Sequence, residues 1–285
     1  MRQLYLGFKA FDPHELTCHF VARYAGIYEA HDIQVRLLDT SFIADDQLPD
    51  QTFHASCGSA TCNWLAGAPM KVVFVATDKP MFWLYARPEI SSFDELAAGR
   101  VAGYPGMAPP AHFLRMIIKS VGLDPDRDLS IEAVRDDRAR LGLLRSGDAV
   151  AAIISAAVLP AEVQRFGFSP LAFFGDELRV PTTGLAVHRA LLDSEPELVA
   201  AMSHCYLDSL QLIHEQIDVL HEVLREDFGI TDADLEVAGD LVQSCYTKDG
   251  TTSLDTISPT LDNLQEELGL IGPLPEIPLL EPAHA

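Results

Sequence analysis

The opening of the chain constrains its fold more than any later part. An apolar run at Leu4–Ala10 (LYLGFKA) is followed by a polar loop at Phe11–Thr17. The next stretch, Phe20–Leu38 (FVARYAGIYEAHDIQVRLL), holds a helix-period segment, a glycine at its end and a second apolar run that closes on Asp39. These pieces spell strand, helix, strand, the first unit of an α/β domain.

The same grammar continues. Lys71–Ala76 reads as a buried strand rich in Val and Phe, after a short strand end at His54–Ser56 and a helical turn at Thr61–Ala66. Beyond a break at Pro88, Ser91 and Ser92 come strand Arg100–Gly103, helix Ala111–Val121 and strand Leu129–Val134. Helix Asp137–Ser146, strand Val150–Ser155, helix Pro160–Phe166 and strand Pro170–Phe174 follow, and strand Gly184–His188 returns to the first half. Strands interleaved with helices imply mostly parallel sheets. After His188 only helices are expected, at Glu195–Asp218, Val219–Asp227, Thr231–Tyr246 and Ser258–Leu268. Ser194 and Thr231 are the expected N-caps and Gly229 and Gly269 the stops. The tail Gly272–Ala285 carries Pro273, Pro275, Pro278 and Pro282 and reads as extended or mobile.

Several phrases together resemble a known family. Ala22–Val35 (ARYAGIYEAHDIQV) is similar to a phrase that closes the first helix in the nitrate, sulfonate and thiamine-precursor branch of the type 2 periplasmic-binding-protein fold, the NMT1/THI5-like family. It departs at His31–Asp32, where that family usually has a glycine. Leu65–Ile90, Ser92–Tyr104 (SFDELAAGRVAGY) and Gly122–Val134 (GLDPDRDLSIEAV) extend the resemblance through the second lobe. It implies an α/β fold of two lobes with a ligand cleft between them and a helical C-terminal region packed on lobe 1. Residues 1–90 with 181–285 are expected to form lobe 1 and residues 91–180 lobe 2.

Composition bounds the partners. Lys+Arg of 20 against Asp+Glu of 42 leaves a net charge of -22, which repels nucleic-acid phosphates and anionic membrane surfaces. No apolar run is long enough for a transmembrane helix, so membrane insertion is not expected. Met1–Phe11 lacks the features of a signal peptide, and five cysteines at irregular spacing argue against a disulfide framework. Both observations favour the cytoplasm, with the periplasm as the alternative if a signal segment has been removed.

In open α/β sheets ligands bind at the carboxyl ends of the strands. The expected ligand-binding residues are therefore Phe11, Asp12, His14, Ser59, Thr61 and Asp78 from lobe 1, with Trp83, Tyr104, Met107, His112, Ser155, Thr182 and Thr183 completing the set. Cys57–Thr61 (CGSAT) and Tyr104–Pro110 (YPGMAPP) have a further claim as loops that open helices, where free backbone N–H groups can meet a polar ligand. Phe82, Trp83 and Tyr104 can stack on a planar ring, although FWLY at Phe82–Tyr85 also alternates like a strand.

No cofactor and no metal is expected, since Cys57 and Cys62 come without a CxxC or HxxxH pattern and no P-loop, GxSxG or HExxH motif is present. The resemblance implies a solute-binding protein that closes by hinge motion near Arg87–Ser92 and Val180–Thr183 on a small polar or heteroaromatic ligand, with an ABC permease as its partner. The alternative is a cytoplasmic enzyme on the same fold acting on a thiamine-type pyrimidine or another small biosynthetic intermediate, with His14 or His19 as acid/base. The consecutive-cysteine run of the yeast-type pyrimidine synthases of that family is not found here.

Overall fold

The computed structural model describes residues 1–271, in two compact units. The chain enters the first unit with strand β1 (Arg2–Phe8), helices α1 (Pro13–Tyr24) and α2 (Ile27–Ala30), and β2 (Ile33–Asp39). Then come β3 (Thr52–His54), α3 (Cys57–Leu65) and β4 (Met70–Thr77). The second unit supplies β5 (Phe82–Ala86), β6 (Arg100–Gly103), α4 (Pro109–Ser120), β7 (Ser130–Ala133) and α5 (Asp137–Ser146). It continues with β8 (Ala151–Ser155), α6 (Pro160–Arg165), β9 (Ser169–Phe173) and α7 (Phe174–Glu177). The chain then returns to the first unit for β10 (Thr183–His188), α8 (Arg189–Ser194), α9 (Pro196–Glu215), α10 (Ile217–Glu226) and α11 (Leu235–Cys245), and ends in α12 (Leu254–Glu267).

The sheet of the first unit has the order β2-β1-β3-β10-β4, with β10 antiparallel to both neighbours and the rest parallel. The carboxyl ends of β1, β2, β3 and β4 therefore share one edge with the start of β10. Apolar side chains fill its faces: Leu4 and Leu6 of β1, Phe53 of β3 and Leu185 and Val187 of β10 are fully buried. Gly26 ends α1 with φ 70, the left-handed geometry that a residue without Cβ adopts without steric cost.

The second sheet has the order β7-β6-β8-β5-β9, and here β5 is the antiparallel member. Its central strand β8 reads AAIIS and is buried at every position, as a strand covered on both faces must be. Helix α4 lays Phe113, Leu114, Ile117 and Ile118 into the core. None of the described helices is long and apolar enough to cross a membrane.

The units divide at Asp78–Lys79 and Arg179–Val180, so the first crossing precedes β5 instead of following it near residue 90. The reason is pairing at a distance, because Phe82–Ala86 hydrogen-bonds to β8 and β9. From Ser258 onward α12 also belongs to the second unit, not the first. Leu261 and Leu264 are buried there, and Glu267 pairs with both Arg115 and Lys119 of α4. The expected caps shift as well: α9 starts from Glu195, α11 from Asp234, and Ser194 ends the short helix α8. The expectation for Gly272–Ala285 lies outside the described residues.

Candidate functional site

The first unit builds a polar cluster where its strands end. Asp12 is extended backbone and caps α1, its carboxylate accepting the Glu15 N–H at 2.9 Å. Pro13, with no N–H to leave unpaired, opens the helix. His14 then sets Nε2 3.1 Å from Thr77 Oγ1 and 3.0 Å from Thr182 Oγ1. Thr77 Oγ1 lies 2.6 Å from Thr182 Oγ1 and 3.1 Å from Thr183 Oγ1, so one imidazole and three hydroxyls join the end of β4, the start of β10 and the first turn of α1. Burial lowers the His14 pKa to about 3, which keeps the imidazole neutral at pH 7.

Glu15 ties the loop before α1. Its carboxylate accepts the N–H groups of Lys9 at 2.8 Å and Ala10 at 3.1 Å. Burial and the Asp12 charge nevertheless push its pKa up to about 8, against those two hydrogen bonds and the Lys9 charge. From the other side Tyr246 donates its hydroxyl to the carbonyls of Pro13 at 2.8 Å and His14 at 3.0 Å. Asp78 accepts from Thr252 Oγ1 at 2.6 Å.

The second unit carries a separate cluster at the equivalent sheet edge. Arg140 is fully buried and donates to the carbonyls of Ile153 (2.6 Å), Val134 (2.5 Å) and Arg135 (2.8 Å), and to Asp137 Oδ1 at 2.5 Å. A buried guanidinium is tolerated only when satisfied in this way. Asp137 also accepts the Ser155 N–H at 2.7 Å, the Ser155 hydroxyl at 3.1 Å and the Tyr104 hydroxyl at 3.3 Å. The Tyr104 ring lies over the Arg140 guanidinium, 3.7 Å from its centroid, and meets Phe82 edge-on at 5.7 Å.

Of the residues expected from sequence, His14 and Thr182 meet directly in the first unit and Thr183 joins them through Thr77, with Asp12 on the same helical turn as His14. Tyr104 and Ser155 meet on Asp137 in the second. The others stand apart. CGSAT is the first part of α3, not a loop, and the Gly58 N–H is taken by the Thr182 carbonyl at 2.9 Å. Ser59 bonds to Ser56 at 3.2 Å, while Thr61 faces inward, its hydroxyl buried and unpaired among the described residues.

Phe11 joins an aromatic group with Phe8, Phe20 and Phe228. Trp83 is 6% exposed and stacked on Phe173 at 4.9 Å, so it serves the sheet face. Met107 is 92% exposed in the turn before α4. His112 is half-buried on α4, its pKa lowered by burial, with the Glu267 charge opposing and Arg115 adding to that shift. His19 is buried on α1 with Nδ1 3.1 Å from the Tyr28 hydroxyl, and burial brings its pKa to about 3.

Sequence reasoning missed Thr77, Glu15, Tyr246, Asp137 and Arg140. Asp137 and Arg140 left a trace, an acid and a base three positions apart at a helix start. No group of three or more His, Cys, Asp or Glu side chains among the described residues is arranged to hold a metal.

No family model matches the chain. A curated relative, 4-hydroxythreonine-4-phosphate dehydrogenase of Citrobacter koseri (strain ATCC BAA-895 / CDC 4225-83 / SGSC4696), is 39% identical over 78 residues, 26% of this chain and 23% of its own length. This chain thus spans about a quarter of the curated relative it matches. Likeness to solved structures runs over nearly the whole chain. The periplasmic aliphatic sulphonate binding protein SsuA of Escherichia coli superposes with a TM-score of 0.75 at 13% identity, covering 93% of this chain and 86% of that one. The CA3427 product of Candida albicans, described as having the generic periplasmic binding protein fold, gives 0.73 at 14%, covering 96% and 92%. The desulfurization enzyme DSZB gives 0.63 at 15%, covering 93% and 91%. The chain has the α/β fold of the two-lobed periplasmic binding proteins.

Proposed function

We propose that this protein is a solute-binding protein for a small polar or heteroaromatic molecule, on the model of the nitrate, sulfonate and thiamine-precursor binding proteins that its sequence resembles. The observation that carries the reading is the hub of His14, Thr77, Thr182 and Thr183, a set of small hydrogen-bonding groups at the strand ends where this class of sheet binds ligands. Tyr104 and Ser155 form the corresponding contact set of the second unit. A neutral imidazole and hydroxyls can each donate or accept, which suits recognition of an uncharged polar group. An ABC permease is the partner this reading implies.

A second reading, an enzyme on the same fold, draws on the likeness to DSZB. It needs His14 or His19 as acid/base, yet burial holds both near a pKa of about 3, far from the range where a general base works best at neutral pH. Binding is therefore the favoured function.

Thermal unfolding against thiamine-type pyrimidines, sulfonates, nitrate and aromatic carboxylates at millimolar concentration tests the proposal. A ligand of the native state raises the melting temperature. At least one of these classes should do so and be recovered unchanged. A panel with no shift contradicts the binding reading, and consumption of the bound compound transfers the case to the enzyme.

A further inference from the structure

The acidic charge of this chain is not spread evenly. Residues 193–249, from the end of α8 through α11 and into the following loop, carry 14 Asp and Glu against two cations, Arg225 and Lys248, whereas the whole chain has 42 against 20. Arg225 is itself taken up by Glu222 and Asp232. A surface of one sign attracts a partner of the other and speeds its encounter, and it repels a second copy of itself.

Within this acidic region of the first unit lies an apolar groove of about 490 Å3, with the end of α1 and the start of α2 on one side and the α9–α10 corner on the other. Tyr24, Ile27, Leu212 and Val219 give it apolar walls, and Asp208 and Glu215 also line it. The rest of the lining is one Ala and two Gln, with no Lys or Arg among the described residues. Asp208, Leu212 and Glu215 stand at i, i+4 and i+7 along α9 and so share one face. The two acidic residues are about 10 Å apart along the helix axis, with the leucine between them. His31 Nε2 lies 3.6 Å from the Asp208 carboxylate, and Arg23, beside Tyr24 in sequence, is held by Asp227 and the Phe20 ring.

The groove is open rather than enclosing. Tyr24 is 56% exposed, and Glu215 and Gln216 are exposed as well. Pockets for small ligands bury most of the ligand's surface, whereas an aromatic anchor in an apolar strip with charges at its rim is the layout of a protein interface.

We propose that this groove docks a basic amphipathic segment of another protein. Such a segment sets an apolar side chain against Tyr24, Ile27, Leu212 and Val219, and brings a Lys or Arg to each of Asp208 and Glu215. Cations seven positions apart on a helix match the spacing of the two carboxylates. The surface is separate from the His14–Thr182 hub, so either assignment can fail without the other.

Fluorescence anisotropy with a labelled helical peptide tests the docking. The probe has about 15 residues of Leu, Ala and Lys, with a leucine stripe flanked by Lys at i and i+7, and its control has the same composition in scrambled order. The probe should bind the full chain about 10-fold or more tighter than the control. Asp208→Asn with Glu215→Gln should weaken it about 5- to 30-fold, and Tyr24→Ala about 3- to 10-fold. Glu236→Gln with Asp240→Asn removes the same charge from exposed positions of α11 and should change the affinity less than about 2-fold. All five side chains are exposed or half-exposed, so circular dichroism should stay native.

Equal binding of probe and scrambled control overturns the proposal. So does a loss from the α11 pair as large as that from the groove pair, or undiminished affinity in both groove variants. A chain that sediments as a dimer disrupted by Tyr24→Ala, or octylamine bound in the groove as tightly as the peptide, gives it a different occupant and also overturns it. Failure of the probe to bind counts in the same way, whereas the solute-binding reading is judged by the thermal panel alone.

Discussion

The imidazole of His14 and the hydroxyl of Thr182 stand 3.0 Å apart, although 168 positions separate them in sequence. That contact joins the first turn of α1 to the start of β10, and Thr77 completes it from β4. Because both side chains are buried, the contact is worth most as a fixed geometry. Leaving one partner unpaired costs the desolvation of the other, about 1–3 kcal/mol.

The buried ionisable groups of α1 make stability depend on pH in two opposite windows. His14 and His19 have pKa values lowered from 6.5 to about 3, so the unfolded chain binds more protons than the folded one between those values. Their contribution is complete above 6.5 and is lost as pH falls toward 3. Glu15 is raised from 4.5 to about 8, so its contribution is complete below 4.5 and is lost as pH rises toward 8. Urea midpoints across this range should show Glu15→Gln flattening the alkaline limb and His14→Gln the acidic one, each by up to about 1.4 kcal/mol per pH unit. Parallel curves for wild type and variants would contradict the assignment.

Gly184 should tolerate no side chain. It lies at φ 147 beside a register shift in the β10–β4 ladder, and a Cβ there would come within 2.1 Å of the Phe74 carbonyl oxygen. Gly184→Ala should destabilise the protein by about 3 kcal/mol or more, combining backbone strain with a clash against main chain that cannot swing aside. It should also weaken ligand binding, since Thr182 and Thr183 immediately precede it. A denaturation midpoint equal to that of wild type would show that the close approach is not as described.

Asp32 adopts φ 57, the left-handed region, at the position where the resembled family usually carries glycine. The departure in sequence thus keeps the backbone geometry, with Asp among the few other residues that visit it. Asp32→Gly should be neutral or stabilising by up to about 1 kcal/mol, and Asp32→Val destabilising by more than that. Thermal melts of the two variants check this, and equal melts for glycine and valine would count against the conformation.

None of the five cysteines is in a disulfide, and only Cys62 is less than fully buried. Burial raises the thiol pKa of Cys18, Cys57, Cys62 and Cys205, with Cys62 and Cys205 pushed up to about 12, so these four should be poor nucleophiles in the native state. A thiol reagent should react slowly with folded protein and with all five cysteines once it is denatured without reductant. Fast reaction in the native state, or fewer than five thiols after denaturation, would contradict the packing.

Alternation of apolar runs with helical stretches made most elements legible, and β6 and α5 have the bounds that sequence implies. Such elements are punctuated locally, by Gly, Pro and charged residues. What escaped depends on partners far along the chain. Thr77 reads as the unremarked end of a buried strand, and only the return of β10 makes it a hub. Arg140 reads as a surface cation on a helix, because nothing local announces that Val134, Arg135 and Ile153 will turn carbonyls toward it. CGSAT reads as a loop because its small residues carry no helical period, yet Cys57, Thr61 and Trp64 fall on one buried face of α3. His14 was legible for the opposite reason: a polar residue just after the first strand of an α/β unit stands where that sheet binds its ligands.

The most direct test is calorimetric titration of the compound that gives the largest thermal shift into wild type, His14→Gln and Thr182→Val. One site per chain is expected in wild type, with affinity reduced about 5- to 100-fold in each variant while circular dichroism stays native. Undiminished affinity in both folded variants would contradict the placement of the site at the His14–Thr182 hub.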